Sequence, residues 1–229
     1  LAKLNIRNPI NIFNDQQVKI FLIILVLSIG LIYFFARNYL HGDEIYKFIS
    51  ISFNTISIIS GTGFVSENYE NWGNYASVLF LILMFIGGCA GSTTCGIKIF
   101  RIQILYNFIL NQLRKIIYPK GIFVLKYDKS PVDNKFISSI ISFVYMYLVI
   151  FFIISILLSL TGLDFITSIS GAATSISNVG PGLGSIIGPS GNFSSLPDSS
   201  KWILSSGMIM GRLELFAILV LFLPSFWRN

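Results

Sequence analysis

Ser177-Asn178-Val179-Gly180-Pro181 sits inside an uncharged run, Phe165 to Ser195, in which fourteen of 31 residues are Ser or Gly. Lipid-facing helices are not built from such residues, and ordinary aqueous loops do not lack charge over such a length. Irregular backbone at membrane depth is tolerated only where protein buries it or where it lines a watery cavity. The stretch therefore predicts a short re-entrant helix that ends in a glycine-containing loop. A second stretch reads the same way. Phe48 to Ser66 holds nine Ser, Thr or Gly among 19 residues and contains Ser60-Gly61-Thr62-Gly63-Phe64.

The two stretches are related by an offset of 117 residues. Phe48-Ile49 becomes Phe165-Ile166, Ser60 becomes Ser177, and Gly63 becomes Gly180. Gly87-x-x-x-Gly91 has a counterpart in Gly207-x-x-x-Gly211 at a slightly longer offset. Each match is weak alone. Their common order marks an internal repeat.

Outward from the loops lie four longer apolar segments. Ile20–Ala36, Asn71–Ile97 and Phe136–Leu163 are free of charge over 17, 27 and 28 residues, and Trp202–Phe226 is interrupted only by Arg212 and Glu214. About 20 apolar residues span a bilayer as a helix, so all four are read as transmembrane helices. The whole chain agrees: 229 residues with 54% hydrophobic and only 11% charged, against roughly 25% charged in a soluble domain. Mean hydropathy is +0.75. The expected fold is all-α and integral to a membrane, with two tandem units of helix, pore helix, loop and helix.

Composition excludes other classes. Cys89 and Cys95 supply neither a disulfide framework nor a metal quartet, and His41 is the only histidine. The net charge of +6 is concentrated rather than spread. Arg114, Lys115, Lys120, Lys126, Lys129 and Lys135 face only Asp128 and Asp133 between residues 113 and 135. That is a topology determinant, which makes the linker cytoplasmic, and no nucleic-acid partner is expected. Lys3, Arg7, Lys19 and Arg228 put both termini on the same side. Six of the ten acids, Asp43, Glu44, Glu67, Glu70, Asp164 and Asp198, flank the re-entrant segments, which therefore open outward. The expected division is 1–17 cytoplasmic, 18–112 first pore unit, 113–135 basic linker and 136–229 second pore unit. The chain starts Leu1-Ala2-Lys3 and is expected to be part of a longer reading frame.

Consecutive backbone carbonyls can replace the hydration shell of a small cation, and glycine allows the required backbone because φ > 0 costs it nothing. A short helix entering from outside adds the negative end of its dipole. Ser60, Gly61, Thr62, Gly63, Ser177, Asn178, Val179 and Gly180 are the candidate carbonyl donors. The competing reading is close packing of small residues between membrane helices, and duplication in register favours the filter. Two more features need explaining. Gly87, Gly88, Gly91 and Gly96 fall within ten residues of a would-be helix, each costing about 1 kcal/mol relative to Ala, so the helix is expected to break; a Gly-x-x-x-Gly packing face is the alternative. Arg212 lies in an apolar segment, where arginine costs roughly 2.5–3.5 kcal/mol and faces a bundle interior or cavity. Glu214, two residues on, is not on its face. Trp202, Trp227 and Tyr75 suit interfacial anchoring.

On these residues the chain resembles the Trk/Ktr/HKT superfamily of potassium transporters, nearest the bacterial TrkH-type uptake subunit. The motifs are Thr62-Gly63-Phe64, the stretch from Met84 to Lys98, Ser177-Asn-Val-Gly-Pro-Gly-Leu-Gly184, and Gly211-Arg-Leu-Glu214 followed by Pro224-x-Phe-Trp-Arg228. The resemblance implies four pore units per subunit, of which these are the third and fourth, hence half of a four-unit potassium-channel-like pore. It implies that the glycine-rich stretch is an intramembrane gating loop, that Arg212 projects into the pore below the filter, and that potassium is the transported ion, with no covalent cofactor. It further implies a homodimer in the bacterial plasma (inner) membrane with a cytosolic TrkA-type nucleotide-binding regulatory ring. Thr94 and Cys95 depart from the pattern, which has glycine in this part of the stretch. No Thr-Val-Gly-Tyr-Gly signature occurs; each loop has one central glycine, which in the family goes with looser selectivity. The alternatives are a two-repeat potassium or sodium channel complete as a dimer, and an intramembrane enzyme, for which only Arg212 and Glu214 could serve. The expectation is a transporter and not an enzyme.

Overall fold

The computed structural model describes residues 15–127, 130–212, 215–221 and 223–228. Lys3, Arg7, Asp128, Lys129 and Glu214 lie outside the described residues, as does the side chain of Arg228.

Among the described residues eight α-helices carry the chain. α1 (Gln16–Ala36) starts at Asp15, whose carboxylate accepts from the Gln17 amide at 2.7 Å. α5 (Asn134–Leu160) starts likewise at Asp133. With its 3₁₀ extension α1 covers 24 residues, and α5 covers 27. At 1.5 Å per residue these are about 36 and 40 Å long, enough for a hydrocarbon core of roughly 30 Å. Their outward faces are apolar: Val26, Leu27, Phe34 and Phe152 are all more than half exposed.

Of the other two apolar segments, Asn71–Ile97 is not a continuous helix. Asn71–Ile97 contains α3 (Asn74–Phe85), which stops just before the glycine-rich stretch; the helix resumes as α4 (Ile99–Ile117). In the other segment α7 (Asp198–Arg212) and α8 (Leu215–Leu221) are described, and a 3₁₀ turn follows at Pro224–Arg228. The break after Phe85 has the physical cause expected, four glycines in ten residues. A two-residue antiparallel hairpin, β1 (Lys126–Tyr127) with β2 (Ser130–Pro131), lies between α4 and α5.

Two short helices, α2 (Glu44–Ile59) and α6 (Phe165–Ser177), run into the protein between the longer ones. α2 packs on α1 and α3; α6 packs on α5 and α7 and also reaches α3. The order of long helix, short helix, glycine loop and helix therefore occurs twice. α6 is buried from Ser170 to Ser177 although that stretch is built of Ser, Thr, Gly, Ala and a single Ile. Small side chains let its neighbours approach, and its hydroxyls find partners inside. Ser170 Oγ donates to the Leu183 carbonyl at 2.9 Å, and Ser177 Oγ pairs with the Tyr147 hydroxyl at 2.7 Å. One apolar core, including Ile32, Ile58, Phe80, Leu83, Phe151, Leu158, Ala172 and Leu204, joins both halves. A smaller cluster of Ile104, Leu125, Ile137 and Ile140 ties α4 and the hairpin to α5. Beside it the Arg101 guanidinium sits 3.6 Å over the Phe143 ring.

Trp202 and Trp227 are largely exposed, and Tyr75 stacks at 4.6 Å on Phe35. In sequence Gly207-x-x-x-Gly211 mirrors Gly87-x-x-x-Gly91, but the two do different things. Gly207 and Gly211 are helical and form the face of α7 that meets the end of α6, with Ser175 Oγ 2.7 Å from a Cβ placed at Gly207. Gly87 and Gly91 belong to the irregular stretch between α3 and α4.

Candidate functional site

The two glycine loops begin where α2 and α6 end, and the ends are built alike. The Gly61 amide donates to the Ile58 carbonyl at 3.1 Å, and the Thr62 and Gly63 amides converge on the Ser57 carbonyl at 2.9 and 3.3 Å. In the other half the Asn178 amide donates to Ser175 at 3.2 Å and the Val179 amide to the Thr174 carbonyl at 3.1 Å. The Gly180 amide reaches Thr174 Oγ1 at 2.9 Å. Donor and acceptor residues in one half map onto those in the other at the offset of 117, the Thr174 hydroxyl standing where the Ser57 carbonyl accepts from the last glycine. Successive amides turned on one acceptor form a nest.

The backbone angles that make this possible also repeat. Gly61 and Gly63 have φ of +66° and +76°, while Asn178 and Gly180 have +51° and +118°. Among the described residues Asn178 is the one non-glycine residue with positive φ. Asparagine tolerates that region through its short polar side chain, and here its Nδ2 donates to the Met208 carbonyl at 3.0 Å.

A consequence follows for the carbonyls. In a trans peptide the C=O points opposite to the N–H of the next residue. Since the amides of residues 61–63 and 178–180 turn back onto the helix ends, the carbonyls of residues 60–62 and 177–179 turn away from them. Among the described residues, no carbonyl of 60–63 or 177–180 accepts a hydrogen bond. The two loops touch: the Cβ position of Gly180 lies 3.5 Å from Gly63 Cα, and that of Gly63 falls against the Val179 carbonyl oxygen. Unpaired carbonyls held close on a fixed backbone can take the place of water around a small cation.

The glycine-rich stretch lies beside the first loop. Its ends are zipped together: the Gly87 amide donates to the Ile97 carbonyl and the Ile97 amide to the Phe85 carbonyl, both at 2.9 Å. The chain thus makes a loop and returns to nearly the point it left. Glycine is required where the ends meet, because a Cβ at Gly87 would lie 2.5 Å from the Cys95 carbonyl oxygen and one at Gly96 would lie 3.0 Å from that of Phe85. Gly88 sits under Ser92 and Thr94, and Gly91 lies in open space with φ of +84°. The Thr94 methyl is 3.2 Å from the Cβ position of Gly61, which brings the stretch against the loop.

Arg212, at the end of α7, donates from Nη1 to the Thr93 carbonyl at 2.7 Å and lies 4.0 Å from Cys95 Sγ. Lys98 Nζ reaches the adjacent carbonyl, Ser92, at 3.3 Å. These groups line a cavity of about 280 Å³ together with Tyr147 and Phe143. Arg212 and Lys98 are the charged groups among the described residues that line it. Of the residues singled out in the sequence, the structure brings Ser60–Gly63 to Ser177–Gly180, and Gly87, Gly88, Gly96 and Arg212 to one stretch. It adds Ser57 and Thr174, which anchor the loops, and Tyr147. The signal for the first two was present: both carry hydroxyls and are 117 apart.

Comparison with known proteins gives a consistent picture. A family model described as TrkH, cation transport protein, matches residues 4–229. The Trk system potassium uptake protein TrkI of Halomonas elongata is 42% identical over 219 residues, which cover 95% of this chain and 44% of that protein. TrkH of Vibrio parahaemolyticus is 30% identical, covering 97% of this chain and 45% of the relative. The crystal structure of the potassium transporter TrkH from Vibrio parahaemolyticus superposes with a TM-score of 0.86 at 30% identity, over 94% of this chain and 46% of that one. The chain spans less than half the length of the relatives it matches.

Proposed function

The chain belongs to the TrkH family of cation transport proteins, a family of transporters rather than enzymes, and from that premise we propose that it carries potassium into the cell across the plasma membrane. In this reading residues 18–112 and 136–229 are the third and fourth of four pore units, joined by the basic cytoplasmic linker 113–135. The carbonyls of Ser60, Gly61, Thr62, Gly63, Ser177, Asn178, Val179 and Gly180 form half of the selectivity filter. Potassium passes down its electrochemical gradient with no covalent chemistry, so the barrier is set by dehydration and by fixed charge.

The gate is the stretch holding Gly87, Gly88, Gly91 and Gly96, with Arg212. A guanidinium held by the Thr93 carbonyl, beside a cavity that Lys98 also lines, repels a cation that has left the filter. Moving the stretch would move that charge. The whole transporter works as a homodimer in a bacterial inner membrane, regulated by a cytosolic TrkA-type nucleotide-binding ring.

The observation that carries the reading is the duplicated hydrogen-bond pattern, which leaves two touching rows of carbonyls without donors. A two-repeat channel complete as a dimer remains the second reading, and relatives twice as long weigh against it. The test is rubidium uptake by the full reading frame, with its regulatory partner, in cells lacking their own potassium uptake. Uptake that collapses in Gly180→Asp at equal membrane abundance supports the assignment. Equal uptake in both would make Gly180 a packing glycine, and no uptake by wild type would sink potassium as the cargo.

A further inference from the structure

We propose that Glu70 is a positioning residue: it reaches from the first half of the chain into the second and holds the outer end of the second glycine loop. The inference rests on the filter reading above, which it deepens.

Glu70 stands in a 3₁₀ turn, Tyr69–Trp72, beyond the first loop. The turn is fixed in place. Asn68 Oδ1 accepts from the Glu70 amide at 3.1 Å. Tyr69 and Trp72 are buried, with ring centroids 4.3 and 6.0 Å from that of Phe80. From this base the Glu70 side chain leaves its own half. Its Oε1 accepts from the Gly184 amide. Its Oε2 lies against Gly188, where an added Cβ would be 2.7 Å from it. Gly184 and Gly188 are themselves joined, the Gly188 amide donating to the Gly184 carbonyl at 2.9 Å. The carboxylate therefore occupies a fitted place in a closed turn. It is not a side chain resting on a surface.

The chain leaving Gly180 is thus gripped twice. Ser170 of α6 holds Leu183 by both its amide, at 2.8 Å, and its carbonyl, at 2.9 Å. Glu70 holds the next residue from the opposite half. Among the described residues the first loop has no such cross-link; it is held within its own half, the Ser66 amide donating to Asn54 Oδ1 at 3.2 Å and Asn54 Nδ2 to Ser66 Oγ at 2.7 Å. The repeat breaks here in sequence as well. The residue 117 positions after Glu70 is Ile187, which is buried and packs its Cδ1 against Gly171 and Gly182. A carboxylate in one half stands where an aliphatic side chain stands in the other. An oxygen fixed by the fold that accepts from a backbone amide sets the position of that amide, which suits a contact that must keep a loop from relaxing around ions of different size.

Two substitutions separate this role from that of a mouth charge attracting cations. Glu70→Gln keeps the length and the acceptor oxygen and removes the charge. Glu70→Asp keeps the charge and withdraws the acceptor by one methylene. In the full-length protein, with rubidium and sodium uptake measured side by side, Glu70→Gln is expected to match wild type. Glu70→Asp is expected to lose rubidium-over-sodium discrimination by roughly tenfold, the scale of one lost hydrogen bond. The reverse order, or any loss in Glu70→Gln, overturns the proposal in favour of charge, and two wild-type-like variants overturn it outright. Hydrogen exchange of residues 182–191 gives a readout that does not need transport: it should rise in Glu70→Asp and not in Glu70→Gln. Wild type that carries neither ion would count against the filter reading, while the exchange result would still decide whether Glu70 holds the loop.

Discussion

Gly63 and Gly180 meet where the two glycine loops touch, the Cβ position of Gly180 being 3.5 Å from Gly63 Cα. Both have positive φ, so each resists a side chain by its own backbone, and at Gly63 the facing loop blocks the space as well. Gly63→Ala is the sharper probe, because its methyl would run into the Val179 carbonyl oxygen. Backbone strain alone costs roughly 1–2 kcal/mol, and displacing a carbonyl adds to that. Rubidium uptake by the full-length protein is expected to fall at least tenfold at unchanged abundance. Wild-type uptake would show that the contact between the loops has no part in transport.

Asn178 separates backbone conformation from side-chain bonding. Asn178→Gly keeps the left-handed conformation and loses the bond to the Met208 carbonyl; Asn178→Leu loses both. The expected ranking in a thermal melt of the purified protein is wild type, then Gly, then Leu, the last lower by about 2–3 kcal/mol from strain and one hydrogen bond. Equal melts for Gly and Leu would remove the conformational argument.

Tyr147 and Ser177 form a buried hydroxyl pair at 2.7 Å. Tyr147→Phe leaves Ser177 without that partner, and a buried unpaired hydroxyl costs about 1–3 kcal/mol. Ser177→Ala does the converse. In a double-mutant cycle the pair of changes is expected to cost clearly less than the sum of the single changes. Strict additivity would mean that the hydroxyls do not couple.

Arg212 is expected to slow ion movement. Arg212→Gln keeps an amide donor for the Thr93 carbonyl and removes the charge, whereas Arg212→Lys keeps the charge. Rubidium flux from proteoliposomes without regulatory partner is expected to rise severalfold for Gln and to stay near wild type for Lys. Equal flux in all three would reduce Arg212 to a structural tie.

Asp164 caps α6, and hydrogen bonding from Thr167 holds its carboxyl below the ordinary value. A carboxylate with a lowered folded-state pKa stabilises the fold above its unfolded value, near 3.9, and that contribution is lost as pH falls through the folded value. The group is largely open to solvent, so the effect is small and weakens with salt. Asp164→Asn keeps the cap and is expected to melt below wild type at neutral pH, with the gap closing below about pH 4. A gap independent of pH would place the contribution in the cap geometry instead of the charge.

Much of the fold was legible because the membrane imposes its own grammar. Ile20–Ala36 and Phe136–Leu163 are uncharged over a length that suits a spanning helix, and they became α1 and α5. Asn71–Ile97 was equally uncharged, yet it is a helix only as far as Phe85. Hydropathy records where a segment can lie and says little of whether its backbone is regular; the four glycines carried that information. The paired glycines at offsets of 117 and 120 looked alike in sequence. Only packing separates Gly207 and Gly211, a flat helix face against α6, from Gly87, which lets two ends of a loop meet. Glu70 was read as one of six acids on the outer side, since nothing in a linear pattern says that a side chain crosses to Gly184.

The sequence by itself determined the membrane setting, the repeat, the family and the positions where backbone without a Cβ is needed, because charge, apolar length and glycine spacing are local quantities. The tertiary structure decided what those positions touch. That the loop amides turn inward and leave the carbonyls free, that Arg212 finds Thr93, and that the halves are tied through Glu70 depend on how α2, α3, α6 and α7 pack. Contacts between residues more than a hundred positions apart are set by that packing, and no local pattern encodes them.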